Sequence, residues 1–151
     1  MTQITRTNKA GLIPYFFDIA SGKFKYLMMV SSDAAYGGDK PMVSKGGQDP
    51  EDADGNQETI TDCAIREAVE ELGLVEDNLL DAFYLSSKKY KTYDLFMFAG
   101  EIKDQLNFDK PCYETEFTLW MTAEEFAVQG REDHYEFIAL LDGTLRDRRL
   151  A

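Results

Sequence analysis

Basic residues are scarce in this chain: 16 lysines and arginines face 28 aspartates and glutamates, a net charge of −12. That balance argues against a nucleic-acid-binding surface, which depends on lysine and arginine displacing counterions. A small anionic ligand stays open provided a divalent cation stands between it and the carboxylates. There are two cysteines, Cys63 and Cys112, at a spacing that matches no zinc or redox motif. As small apolar fillers they fit a reducing, cytoplasmic compartment. The single histidine, His134, lies far from any serine or cysteine motif and reads as a surface residue of the last helix. The apolar runs at 11–17 and 26–30 are far too short to span a bilayer, and the polar stretch 1–9 lacks the apolar core of a signal peptide. The expectation is a soluble protein with no membrane and no nucleic-acid partner.

What is present is ordinary globular composition, 44% hydrophobic and 29% charged over 151 residues, which predicts one domain, 1–151. Residues 9–19 and 24–31 are aromatic or apolar and flank Ser21-Gly22, so they read as two strands joined by a turn. Residues 32–40, with Gly37 and Gly38, form a loop, and a short strand at 42–44 leads into Lys45-Gly46-Gly47. Residues 48–57 are acidic and turn-rich. Further strands are predicted at 82–90, 92–101 and 116–121. Thr122 to Glu125 has the form of a capping box, and 132–148 suits a closing amphipathic helix that Gly143 weakens.

Between these strands the periodicity changes. Ile60, Cys63, Ala64, Ala68, Leu72 and Leu74 recur mainly at three- and four-residue intervals, the spacing of one buried helix face. Thr59 or Thr61 caps this helix, Asp62 sits in its first turn and Gly73 stops it. On the helix, Glu67, Glu70 and Glu71 stand at i, i+3 and i+4, so three carboxylates share one face. Arg66 precedes Glu70 by four residues and can bridge to it. Three like charges so close repel one another unless something positive joins them, and hard divalent cations prefer carboxylate oxygens. A solvated acidic face is the plainer reading of such glutamates taken alone.

Their surroundings move that reading. Arg66-Glu67-Ala68-Val69-Glu70-Glu71-Leu72-Gly73-Leu74 resembles the signature of the Nudix family, R-E-U-x-E-E-x-G-U with U a bulky aliphatic, and Glu58 matches the isolated glutamate that precedes it by seven intervening residues. Ala68 stands where a larger aliphatic is usual, which asks for a tighter helix contact. Eleven residues rather than five separate Gly46, at the place of the first glycine, from Glu58. A loop insertion within 48–57 accounts for the difference at little thermodynamic cost. The resemblance implies an α/β fold, a Nudix-like α/β/α sandwich with a mixed sheet. It also implies a pyrophosphatase that uses Mg²⁺ or Mn²⁺.

By the same resemblance Glu67 and Glu71 are the principal metal ligands, Glu70 shares a second ion, and the Gly46 carbonyl is a further ligand. Arg66 would hold Glu70 and Glu58 in position. The metals would offset charge and acidify the attacking water. Glu114 and Glu116 are candidates for a loop-borne base. Tyr90, sixteen residues after Leu74, matches a tyrosine of the diadenosine-polyphosphate subgroup and is a candidate to stack on adenine, although packing explains it equally well. The start of the first strand and the lengthened loop resemble the small Nudix hydrolases of T4-like bacteriophages, which implies FAD, ADP-ribose and adenosine dinucleotides as substrates.

Three other readings compete. One is a nucleotide-sensing module that does not hydrolyse, against which the full set of signature glutamates counts. Another is a calcium-responsive loop at Asp52-Ala53-Asp54-Gly55-Asn56. In the EF-hand register, however, Pro50 and Thr61 fall where acids are needed. The third, nucleic-acid decapping, is disfavoured by charge. Homodimers are common in the family, and the sequence leaves the oligomeric state open.

Overall fold

In the computed structural model, which describes residues 6–33, 35 and 39–150, strand β1 (Thr7–Asp18) has two buried faces. Ala10 and Leu12 point to one side, Ile13 and Tyr15 to the other, and the first three of these are fully buried. A strand apolar on both faces belongs in the middle of a covered sheet, and β1 is there. The other strands are β2 (Lys23–Ser31), β3 (Gly46–Gly47), β4 (Leu79–Lys89), β5 (Tyr93–Ile102) and β6 (Thr115–Met121). Among the described residues they form one sheet in the order β4-β5-β1-β2-β6, with β3 on β1. It is mixed, because β1 runs parallel to β5 while the other pairs are antiparallel.

Helix α1 (Ile60–Leu72) covers one face with Cys63, Ala64, Ala68 and Leu72. Helices α2 (Ala123–Gln129) and α3 (Tyr135–Leu150) cover the other with Phe126, Phe137, Ile138, Leu141 and Leu145. The result is the α/β/α sandwich. Both expected caps form: the Thr59 hydroxyl accepts from the Asp62 N–H, and Thr122 and Glu125 close a capping box.

The sequence reading needs correcting in three places. The closing helix starts at Tyr135, because Glu132–His134 is a 3-10 turn. His134 is fully buried rather than on the surface, its Nδ1 accepting the Val43 N–H at 3.3 Å. The short strand expected at 42–44 is reduced to a bridge, Met42 to Met29, and the pairing with β1 is made by Gly46–Gly47. The cause is a gap in the sheet. β1 and β2 pair only near their turn, from Tyr15 with Tyr26 to Asp18 with Lys23, and beyond it the segment 42–47 lies between them. Gly37 and Gly38, expected in a loop, and the first five residues lie outside the described residues. Among the described residues no helix is long and apolar enough to cross a membrane.

Candidate active site

The amphipathic register of α1 turns Glu67 and Glu71 toward the sheet, where both are buried, and leaves Glu70 exposed. Burying carboxylates side by side is unfavourable for their charged forms. Desolvation raises the Glu71 pKa to about 8 and the charge of Glu67 adds to the rise. The Lys45 N–H and Ser44 hydroxyl, which donate to Oε1 at 2.9 and 3.2 Å, oppose it. Glu67 is raised as well, again mainly by burial, with Arg66 working against the shift.

Arg66 organises the rest. Its Nε and Nη2 donate to the two carboxylate oxygens of Glu58 at 2.7 and 3.1 Å, its Nη2 also to the Gly47 carbonyl at 2.9 Å, and its Nη1 to Glu67 and Glu70 at 3.1 and 3.3 Å. The planar guanidinium suits a bidentate grip of this kind. The bond from Arg66 holds the Glu58 carboxyl below the usual carboxylate range. Glu58 also closes the inserted loop on itself: its side chain accepts from the Asp49 N–H, and its carbonyl from the Gln48 amide. The insertion therefore leaves Gly46, Glu58 and α1 tied together at its base. Within the loop Asp52 Oδ1 accepts from the backbone of Asp54 and Asn56, both at 2.9 Å, and makes a local turn.

Whether this donor set suits a hard divalent cation can be judged at Gly46. A Cβ placed there would come within 2.1 Å of the Glu67 carboxyl, so glycine is what lets the backbone reach that carboxylate. Two buried carboxylates whose pKa values are both raised, mainly by burial, an exposed third and a glycine backbone make the oxygen-rich, charge-deficient environment such an ion prefers. In the present side-chain arrangement no three acidic, histidine or cysteine groups converge as a cage among the described residues, because Arg66 draws Glu67 and Glu70 toward itself.

The C-terminal carbonyls of α1, which have no partners within the helix, recruit a distant segment. The Cys112 N–H donates to the Glu70 carbonyl and the Thr115 hydroxyl to that of Glu71, each at 2.7 Å. This lays Tyr113 and Glu114 beside the glutamates, on the wall of a cavity of about 670 Å³ that Glu71 also lines. Glu116 does not line it. Val30 pairs with Phe117 and Ser31 with Thr115, so Glu116 is the extra residue of a β-bulge and is exposed. Of the two candidate bases, Glu114 is the one near the carboxylates, and its charge contributes to raising both Glu67 and Glu71.

Tyr90 also lies away from the cavity lining. Its ring stacks on Tyr93 at 4.7 Å and its hydroxyl donates to Asp133 at 3.2 Å. Tyr93 is the ring that reaches the cavity, backed by Tyr90 and approached by the Lys9 ammonium 4.2 Å from its centroid. Tyr113 is 87% exposed and free to meet a ligand. Nothing in its own sequence neighbourhood marks Tyr113, since its place depends on the helix end it is tied to.

His134 is fully buried and holds Val43, a residue of the cavity lining, as a neutral acceptor. Burial pushes its pKa well below 6.5, with Asp133 opposing and Arg131 assisting. The unfolded chain therefore takes up the proton first as pH falls. The contribution of His134 to stability is fully present above 6.5 and is lost progressively below it, at about 1.4 kcal/mol per pH unit. Urea unfolding from pH 7 to pH 4 should show His134→Gln losing stability less steeply than wild type, by about one proton. Parallel curves would show that the histidine is not held neutral.

Residues 37–141 match the family model described as NUDIX domain. No curated protein sequence matches the chain. Among solved structures the fold is similar to an Ap4A hydrolase of C. elegans in a binary complex, with 17% identity and a TM-score of 0.72 over 93% of this chain and 98% of that one. It is also similar to a Nudix hydrolase of Nitrosomonas europaea, with 17% identity and a TM-score of 0.68 over 93% and 90%. A Nudix hydrolase of Listeria monocytogenes gives 18% identity and a TM-score of 0.67 over 95% and 97%.

Proposed function

The chain belongs to the Nudix family of hydrolases, and from that premise we propose that it cleaves the diphosphate linkage of nucleoside-diphosphate derivatives such as FAD, ADP-ribose and diadenosine polyphosphates. Water attacks one phosphorus, a P–O bond of the anhydride breaks, and AMP leaves with a phosphorylated partner. The observation that carries this reading is the buried pair Glu67 and Glu71, the first fastened through Arg66 to Glu58 beside the bare backbone of Gly46 and the second held by Lys45 and Ser44.

Glu67, Glu71, Glu70 and the Gly46 carbonyl would hold Mg²⁺ or Mn²⁺. Such an ion supplies charge stabilisation at the phosphate oxygens and acidifies water. The residues themselves have separate tasks. Arg66 keeps Glu67 and Glu70 oriented, and the Lys45 N–H and Ser44 hydroxyl fix the rotamer of Glu71. Glu114, on the cavity wall, takes the proton from the attacking water. Tyr113 offers an open aromatic face to the nucleobase, the role first considered for Tyr90. Phosphoryl transfer needs positioning and charge stabilisation rather than a covalent nucleophile, which agrees with a chain whose one histidine is buried.

The test is a product assay with FAD, ADP-ribose, NADH, diadenosine tri- and tetraphosphate and nucleoside triphosphates, in Mg²⁺, Mn²⁺ or EDTA. Metal-dependent AMP release is expected. Nucleotide binding without turnover of any compound would favour a sensor instead. In the same assay Tyr113→Ala should raise KM by about tenfold, the value of one base–aromatic stack, with kcat changed far less. An unchanged KM would remove Tyr113 from the binding surface.

A further inference from the structure

Among the described residues one buried side-chain polar atom has no hydrogen-bond partner, Nε2 of His134. The ring is fully buried and its Nδ1 accepts the Val43 N–H at 3.3 Å, so the proton of the neutral imidazole is on Nε2. Asp133 stands 3.9 Å from that nitrogen, but its carboxylate is engaged by Arg131 at 2.8 Å and by the Tyr90 hydroxyl at 3.2 Å. An unpaired buried donor costs about 1–3 kcal/mol. An apolar side chain would avoid that cost, yet it would leave the N–H of Val43, itself fully buried, without an acceptor. The histidine is therefore explained by what its Nδ1 does for Val43.

Val43 lies in the segment that fills the gap between β1 and β2, where no continuous ladder holds the chain. Separate bonds hold it instead. Met42 exchanges two with Met29 at 2.9 and 2.8 Å, the Arg131 N–H reaches the Pro41 carbonyl at 2.8 Å, and Gly46 and Gly47 pair with β1. The two residues after Val43 are Ser44 and Lys45, the donors to Glu71, and the next is Gly46. Packing there is tight: a Cβ on Gly11 of β1 would lie 2.0 Å from the Ser44 carbonyl oxygen. In so dense a setting a shift of Val43 passes to its neighbours rather than being absorbed. We propose that His134 is a positioning residue of the carboxylate site: its Nδ1 fixes Val43, and through Val43 it sets the Ser44 and Lys45 donors on Glu71. The kinetic consequence rests on the hydrolase reading above, whereas the structural one does not.

The test compares His134→Leu, which removes the acceptor, with His134→Asn, which keeps it, because the asparagine oxygen and histidine Nδ1 are each one bond from Cγ. In metal-free protein the Lys45 amide should exchange its hydrogen about tenfold faster in the leucine variant and return to within about threefold of wild type in the asparagine variant. Both rates are taken relative to the amide of Met97, in the core of β5, so that a general loss of stability cancels. Should the leucine variant fold poorly, His134→Gln, whose oxygen hangs from Cδ rather than Cγ, takes its place in the comparison.

A second arm is kinetic. With Mg²⁺ and the compound that wild type turns over fastest in the product assay, kcat should fall about tenfold in the leucine variant and recover in the asparagine variant, while KM changes far less. If wild type hydrolyses none of the compounds, only the hydrolase reading fails, and the exchange rates still decide the role of His134. Equal Lys45 exchange in wild type and the leucine variant overturns the proposal, and so does fast exchange in the asparagine variant. A wild-type kcat in the leucine variant overturns it as well, because a merely structural histidine would cost stability and nothing else.

Discussion

Glu71→Gln should lower kcat by on the order of 10³-fold while making the metal-free protein more stable at pH 8. The two effects share one cause. The Glu71 carboxyl is buried, and its pKa rises from 4.5 to about 8. A folded-state value above the unfolded one means that the group favours folding while protonated, below 4.5. That contribution is lost as pH climbs through 8, so the protein pays for a buried charge in this window. A neutral glutamine keeps an oxygen for the Lys45 N–H and the Ser44 hydroxyl but carries no charge to be desolvated. Its melting temperature should exceed that of wild type by roughly 5 °C at pH 8, and the difference should shrink toward pH 4.5. The amide also cannot offset a divalent cation, which is why turnover is lost. Calorimetry in EDTA and a steady-state assay in Mg²⁺ measure the two halves. Full activity in a well-folded variant would end the assignment of Glu71, and a lower melting temperature at pH 8 would contradict its strained burial.

Gly73→Ala carries the largest expected loss of stability. Gly73 ends α1 with φ of 75°, in the left-handed region, and the Leu74 N–H returns to the Ala68 carbonyl as in a Schellman cap. A Cβ at Gly73 would lie 1.8 Å from the Asp109 carbonyl oxygen, and the Asp109 N–H donates to the Gly73 carbonyl at 2.7 Å. Alanine therefore meets an unfavourable conformation and a backbone atom that cannot rotate away, a cost of about 4 kcal/mol or more. Gly143 is the control. It lies within α3 with open space where a Cβ would go, and Gly143→Ala should stabilise by about 0.5–1 kcal/mol. Urea unfolding separates the two outcomes. A mild effect at Gly73 would mean that the contact between the end of α1 and Asp109 is loose.

The two glycines look alike in sequence, each near a helical pattern, and the difference between them shows how far local rules reach. Helix α1 was legible because its apolar spacing, the Thr59 cap and the stop at Gly73 all lie within a few residues of one another. The shared face of Glu67, Glu70 and Glu71 follows from helix geometry alone. Strands β1, β2, β4, β5 and β6 were legible in the same way, and the family signature was contained in the sequence from Glu58 to Leu74.

Tertiary structure decided the rest, because the partners lie far apart in the chain and no periodicity links them. Val43 meets His134 across 91 residues, which turns an expected surface histidine into a buried acceptor. Thr115 reaches the Glu71 carbonyl across 44 residues and brings Tyr113 and Glu114 to the cavity. A bulge in β6 separates Glu114 from Glu116 although they are two positions apart. The gap between β1 and β2 places Lys45 and Gly46 against α1. Tyr90 stacks behind Tyr93, so Tyr93 is the ring of the two that lines the cavity. The sequence alone determined the chemistry available on the helix, since helical spacing is a local property. Which other groups face that chemistry was decided by sheet register and by the unpaired carbonyls of a helix end, properties that exist only once distant strands have met.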